Sequence, residues 1–232
     1  MTSIIYILLF NLLFSVESPW SAENTAAAPV LKLNFYLMGR EDVDQEAILK
    51  IGENIEYLNQ EFEGSVKFEL NQLFMDYKHE FLPKLYTDYI EKTDANVHQL
   101  VDGIEEEGAI NIYLLETFTP SNGDQSLMGF TPILRGMHRT YEDNSPSFDR
   151  MFLAYKALRA KSTIVHEMGH FLGLSHPWEM NSLDIELLGL NNTQEMTRNH
   201  MTYNPDVDKF TPAQLHRMRD FAKRFRKYLL KT

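Results

Sequence analysis

The residues best suited to chemistry lie between Ser162 and His176, in STIVHEMGHFLGLSH. The stretch reads H-E-x-x-H-x-x-G-x-x-H, with His166, Glu167, His170, Gly173 and His176 at its fixed positions. Residues four apart share one face of an α-helix, so His166 and His170 can direct two imidazoles at a single ion. Glu167 is the next residue round and sits beside that ion. Gly173 is where the helix must stop, because a helix end often needs a left-handed residue and glycine adopts that conformation without a Cβ penalty. The chain can then turn and bring in His176 as a third ligand. Three neutral imidazoles with a fourth position open form the donor set of a catalytic zinc ion, whereas structural zinc sites are closed. The plain alternative is an amphipathic helix whose histidines face water. Five residues of fixed type and spacing coincide in on the order of one window in ten million, so the chemical reading is preferred.

Other elements must hold this stretch in place. Val30 to Met38, VLKLNFYLM, alternates and is rich in strand formers, so it is predicted to be a first strand, ended by Gly39. Asp44 to Asn59 carries Ala47, Ile48, Ile51, Ile55 and Leu58 at helical spacing. Val66 to Met75 reads as a second strand whose aromatic residues suit a core or a binding surface. A helix is predicted over Val97 to Glu107, with Glu105, Glu106 and Glu107 as a solvated face. Ala109 to Glu116, AINIYLLE, is a buried strand, followed by a loop over Thr119 to Asp124. Ser126 to Leu134 is extended, with Gly129 and Pro132 marking a sheet edge or a bulge. Arg135 to Pro146 is an exposed loop, and Met151 to Leu158 a last strand leading into the His166 helix.

Pro177 to Asn199 reads as a long structureless connector, a kind of loop that usually has a job. Its Asp184, Glu186 and Glu195 are solvated charges or ligands for a second cation. Asn191 opens an N-glycosylation sequon, meaningful only in a eukaryotic secretory pathway. Thr211 to Leu230 is a helix with a capping box at Thr211 and Gln214 around Pro212. Leu215, Met218, Ala222, Phe225 and Leu229 form one apolar stripe. Lys223, Arg224, Arg226, Lys227 and Lys231 crowd its C-terminal end, where they complement the helix dipole. Taken together, the order predicts one α/β domain over residues 29–232, in two lobes with the metal helix across the middle.

The chain has 232 residues, 44% of them hydrophobic, enough for a real core. A net charge of −11 argues against a nucleic-acid partner, since a phosphate backbone wants a basic face. With no cysteine in the chain, any metal site must use histidine and carboxylate. Ile4 to Phe14 is apolar except for Asn11, too short to cross a bilayer, which takes about 20 residues. Residues 1–28 are therefore expected to be a signal peptide and short linker, and the protein secreted or periplasmic. A retained anchor is the alternative. The basic last helix could contact membranes; packing against the core is the preferred reading, and a monomer is the expected state.

Beyond the third histidine come NHMTY (Asn199 to Tyr203) and FTPAQLHRM (Phe210 to Met218). With HEMGHFLGLSH, these segments resemble the metzincin metallopeptidases, and among them the pappalysin group, over His166 to Met218. The resemblance implies a mostly parallel twisted sheet with backing helices, an active-site helix and a C-terminal helix. It implies that Met201 floors the zinc ligands and that Tyr203 reaches the metal site and stabilises the transition state. Ser126 to Thr131, including Gly129 and Phe130, would be the edge strand that pairs with extended substrate. Asp206 and Asp208 would line a specificity pocket favouring Lys or Arg after the scissile bond. Thr202 stands where the group has Asp, and the group's cysteines are absent; both count against a family-type calcium site. His200 is expected to be a local hydrogen-bonding residue, and His79, His98, His138 and His216 have no ligand spacing. The function expected is a secreted zinc endopeptidase acting on protein or peptide substrates with Glu167 as general base. The alternative is an inactive zinc-binding protein that recognises a partner.

Overall fold

The computed structural model describes residues 27–39, 44–76, 84–86, 106–119, 128–131, 150–204, 207, 209–226 and 229–230. The predicted signal segment, most of the helix expected over Val97 to Glu107, most of the Thr119 to Asp124 loop, and the Arg135 to Pro146 loop lie outside these residues. Glu106 and Glu107, the last two of that expected helix, are not helical and lead into a turn at Gly108.

A five-stranded sheet organises the chain. β1 (Val30–Met38) pairs in parallel with β2 (Lys67–Asp76) on one side and β4 (Ile110–Leu115) on the other. β4 pairs in parallel with β7 (Arg150–Ala154), and the short β6 (Gly129–Phe130) closes the edge antiparallel to β7. The order across the sheet is β2-β1-β4-β7-β6. A second sheet, not anticipated from the sequence, pairs β3 (Lys84–Tyr86) with β5 (Thr117–Thr119). Between β1 and β2 runs α1 (Gln45–Glu61), capped by Asp44, whose carboxylate accepts from the Ala47 N–H at 2.9 Å.

Central strands of a parallel sheet are covered on both faces and read as unbroken apolar runs. Every residue of β4 and of β7 is buried accordingly. One face carries Leu31, Leu33, Phe35 and Leu37 of β1 into the main core, with Ile51 and Leu58 of α1. The opposite face carries a row of stacked rings across all five strands: Phe74, Tyr36, Tyr113, Phe152 and Phe130. Their centroids are spaced 4.5, 4.7, 5.3 and 6.4 Å apart. Cross-strand aromatic pairs pin register, and this row ties the two-residue β6 to the sheet. The aromatic residues of β2 thus belong to the core.

The strand expected to run to Leu158 ends at Ala154. A 3-10 turn over Tyr155–Arg159 follows, which buries Ala157 and Leu158 while leaving Lys156 and Arg159 outside. That two-in, two-out spacing fits a helical turn and not a strand of period two. The turn is tied to α1 by the Asn54 amide, which donates to the Leu158 carbonyl at 2.8 Å. It leads into α2 (Ser162–Phe171).

The connector after His176 is not structureless. It holds a 3-10 turn (Pro177–Glu179), α3 (Ser182–Leu187) and α4 (Thr193–Thr197). Asn181 and Asn192 cap the two helices, accepting from Asp184 N and Glu195 N at 2.9 and 2.8 Å. The last helix, α5 (Pro212–Phe225), starts at the expected capping box but stops five residues short of Leu230. The chain leaves the helix so that Leu229 is buried and Leu230 bridges to Leu31 of β1. Arg226, one of the cations read as complementing the helix dipole, is buried with its guanidinium 4.1 Å from the centroid of Phe171. Among the described residues no helix is long and apolar enough to cross a membrane.

Phe152 sits mid-row between Tyr113 and the edge-strand Phe130. Phe152→Ala is expected to cost about 3–5 kcal/mol in denaturant unfolding.

Candidate metal centre

The site is built by α2 and by three turns that close over it. His166 and His170, one turn apart on α2, are both buried. The helix ends in a Schellman motif: Gly173 N–H donates to the His170 carbonyl and Leu174 N–H to the Gly169 carbonyl, both at 2.9 Å. Gly173 has φ +85°, the left-handed conformation its position predicted. A Cβ there would also collide with the Phe221 ring of α5. The reversal brings His176 back beside the helix.

The three Nε2 atoms converge. His170 Nε2 lies 3.1 Å from those of His166 and His176, and the remaining pair is 3.3 Å apart. Three corners of a tetrahedron about 2.0–2.1 Å from its centre are about 3.3–3.4 Å apart, so the spacing fits zinc–imidazole bonds. Among the described residues this is the only group of three side chains able to hold a metal ion.

Each ring is oriented from its far side. His166 Nδ1 faces the His200 carbonyl at 2.6 Å, His170 Nδ1 the Leu174 carbonyl at 2.8 Å, and His176 Nδ1 the Glu179 carboxylate at 3.0 Å. Carbonyls and carboxylates only accept, so each Nδ1 carries the proton and each Nε2 offers a lone pair. Burial disfavours the charged rings. It lowers the His166 pKa to about 4 and that of His170 to about 3, and it lowers that of His176 as well. The cluster is therefore neutral and ready for a cation at physiological pH. Three imidazole donors, each with a hydrogen bond behind the ring, fit Zn2+.

Glu167 is buried, 6% exposed, and burial raises its carboxyl pKa to about 7. Gly129 of the edge strand makes room for it. A Cβ on Gly129 would lie 2.7 Å from Glu167 Cγ and 2.9 Å from Oε1. Thr131 Oγ1 donates to the Glu167 carbonyl at 3.1 Å, tying the edge strand to the helix. Phe130 is partly buried and points into the aromatic row.

Met201 is fully buried beneath α2, and a Cβ on Gly169 would collide with its sulfur. The turn carrying Met201 is locked to α5 by a buried amide pair. Asn199 Nδ2 donates to Gln214 Oε1 at 2.7 Å, and Gln214 Nε2 donates to Asn199 Oδ1 at 3.1 Å. Asn199 Oδ1 also accepts from Met201 N, and Gln214 Oε1 from Thr211 N. The NHMTY and FTPAQ segments are thus one hydrogen-bonded unit. His200 is not a local partner: its Nε2 meets Glu61 Oε2 of α1 at 2.8 Å. Thr202 Oγ1 closes the same turn onto the Asn199 carbonyl at 2.9 Å.

Tyr203 stands at the rim, 72% exposed, its ring centroid 5.5 Å from His166 and 5.0 Å from His176. Burial of part of its ring, then the Glu167 and Glu179 charges, raise its phenol pKa. Trp178, 57% exposed, stacks on His176 with centroids 4.4 Å apart. Asp206, Asp208, His79, His98 and His138 lie outside the described residues. His216 pairs with Asp220 on an exposed helix face. Asp184 and Glu195 face Arg217 and Lys209 at 3.9 and 3.0 Å and join no ligand cluster.

Sequence reasoning missed Glu179, Trp178, Thr131, Gly169 and the carbonyls of Leu174 and His200. Glu179 had a legible signal, since it lies three residues after His176 at capping-box spacing. Carbonyls belong to every residue and carry none.

No protein-family model and no curated protein matches the chain. Among solved structures it is similar to metalloproteinase-II from Bacteroides fragilis, at 15% identity and TM-score 0.48, over 83% of this chain and 53% of that one. It is also similar to archaemetzincin from Methanopyrus kandleri, at 11% identity and TM-score 0.49, over 84% and 96%. The chain spans about half the length of the Bacteroides fragilis protein. At these levels the chemistry rests on the site itself.

The buried Glu167 makes a signed prediction for metal-free protein. Its folded pKa, about 7, exceeds the unfolded value of 4.5. The stability this contributes is present below 4.5 and lost as pH rises through about 7. With chelator present, Glu167→Gln should be more stable than the parent at pH 8, and the gap should close toward pH 5 in thermal unfolding.

Proposed function

We propose that the protein is a zinc-dependent endopeptidase of metzincin type. The observation that carries the reading is a buried carboxylate, Glu167, beside three Nε2 atoms that converge on one point. A zinc ion held there by His166, His170 and His176 would acidify a water molecule and polarise a peptide carbonyl. Glu167, buried beside that point, would take a proton from the water and hand it to the departing amine. The Tyr203 hydroxyl, on an exposed ring at the rim, donates to the carbonyl oxygen as it gains charge. The edge strand β6 offers main-chain groups to an extended peptide, with Gly129 and Phe130 flanking the scissile bond.

Within that class, the interlocked NHMTY and FTPAQ segments support the pappalysin-like subgroup. The short apolar N-terminal run supports export. Asp206 and Asp208, after the Met201 turn, support a preference for a basic residue following the cleaved bond. The inactive zinc-binding alternative is disfavoured because a binding module has no need of a general base.

Glu167→Ala should retain zinc yet hydrolyse casein no faster than buffer; undiminished hydrolysis by this variant would refute the role given to Glu167. Chelator should abolish activity in the parent, and zinc should restore it. Tyr203→Phe should lower kcat about 10²-fold with little change in KM, in line with loss of one oxyanion donor. Unaltered kcat would exclude that hydroxyl from the transition state.

A further inference from the structure

The three ligands are not held alike. His166 and His170 lie on α2 and donate to main-chain carbonyls, of His200 and Leu174. His176 lies beyond the helix, past Gly173, and its Nδ1 meets a side chain. Glu179 Oε2 accepts from it at 3.0 Å, and the same oxygen accepts from the His176 backbone N–H at 3.2 Å. Trp178 covers one face of the ring, nearly parallel at 9°. All three residues sit within four consecutive positions, His176 to Glu179, organised by the 3-10 turn.

We infer that Glu179 is a positioning residue for the metal: its carboxylate fixes the tautomer and rotation of His176, and so sets how tightly the third ligand holds zinc. An imidazole outside a helix can rotate about its Cβ–Cγ bond and can shift its proton to Nε2, where it blocks coordination. The Trp178 stack restricts tilt but is indifferent to which nitrogen carries the proton. An acceptor at Nδ1 selects the Nδ1–H form, points Nε2 at the ion and raises its basicity. The Glu179 side chain is 50% exposed and that of His176 is 12% exposed. The carboxylate end of the pair is half in water, where screening keeps its contribution to folding stability small. Ring orientation is a separate quantity, so the two effects can be told apart.

This inference rests on the zinc centre and not on peptidase activity; a chain that binds zinc and cleaves nothing would still test it. The experiment measures zinc affinity of the full chain by competition with a chromophoric chelator, beside thermal unfolding of the metal-free protein. Glu179→Ala should weaken zinc binding about 10–100-fold, with only the small shift in metal-free unfolding that loss of a capping contact brings. Glu179→Gln, whose amide oxygen can accept from both N–H groups, should recover affinity to within a few-fold of the parent. The same charge change at the exposed Glu63, Glu63→Gln, should leave affinity unchanged. Should Glu179→Ala not fold, Glu179→Asp carries the same test, because it keeps the charge and shortens the reach by one methylene. Affinity in Glu179→Ala, or in Glu179→Asp in its place, equal to that of the parent would overturn the inference. So would a loss in Glu179→Gln as large as in Glu179→Ala, or an equal loss in Glu63→Gln.

Discussion

Three hydrogen bonds on the outer nitrogens of three imidazoles are the constraint the rest of the structure serves. A helix brings His166 and His170 to one side, but spacing alone leaves each ring free to rotate and to choose its tautomer. The acceptors come from three separate places: a turn just past the helix (Leu174), the Met201 turn (His200) and the turn after the third ligand (Glu179). The convergence of the Nε2 atoms therefore depends on tertiary structure. The His200 carbonyl is held in turn by the Asn199–Gln214 amide pair and by the Glu61 contact to the His200 ring. α1, the Met201 turn and α5 thus all bear on the orientation of one ligand.

Close packing around α2 supports the same arrangement. Gly129, Gly169 and Gly173 stand where a Cβ would strike Glu167, Met201 and Phe221. The first lets the edge strand lie against the carboxylate, which excludes water and raises its pKa. The second seats the methionine beneath the histidines. The third combines a left-handed turn with contact to α5. On the far side of the sheet, the row of five rings fixes the two-residue edge strand, which has few main-chain bonds of its own.

Much of this was legible in the sequence where local signals are strong. β1 was bounded to the residue, and α1, β2 and β4 to within one or two, because apolar periodicity and caps such as Asp44 act locally. The ligand set and the role of Gly173 as helix terminator followed from spacing. Errors arose where tertiary contacts decide. The turn after Ala154 exists because Ala157 and Leu158 must both bury. The last helix stops because Leu230 pairs with β1, a partner 199 positions away by numbering. The connector after His176 was misread because its two asparagine caps introduce helices of only six and five residues. Arg226 read as one of several cations at a helix end, and only the tertiary fold sets its guanidinium over the Phe171 ring.

The geometry requires the three histidines to bind one zinc ion through Nε2 and to leave a position open. Zinc-edge X-ray absorption on the purified full chain, with the metal content measured on the same sample, tests this most directly. The expected result is one zinc per chain, with three imidazole nitrogens at about 2.0–2.1 Å and an oxygen completing the shell. Absence of zinc after preparation in zinc-containing buffer, or a shell with fewer than three imidazoles, would contradict it.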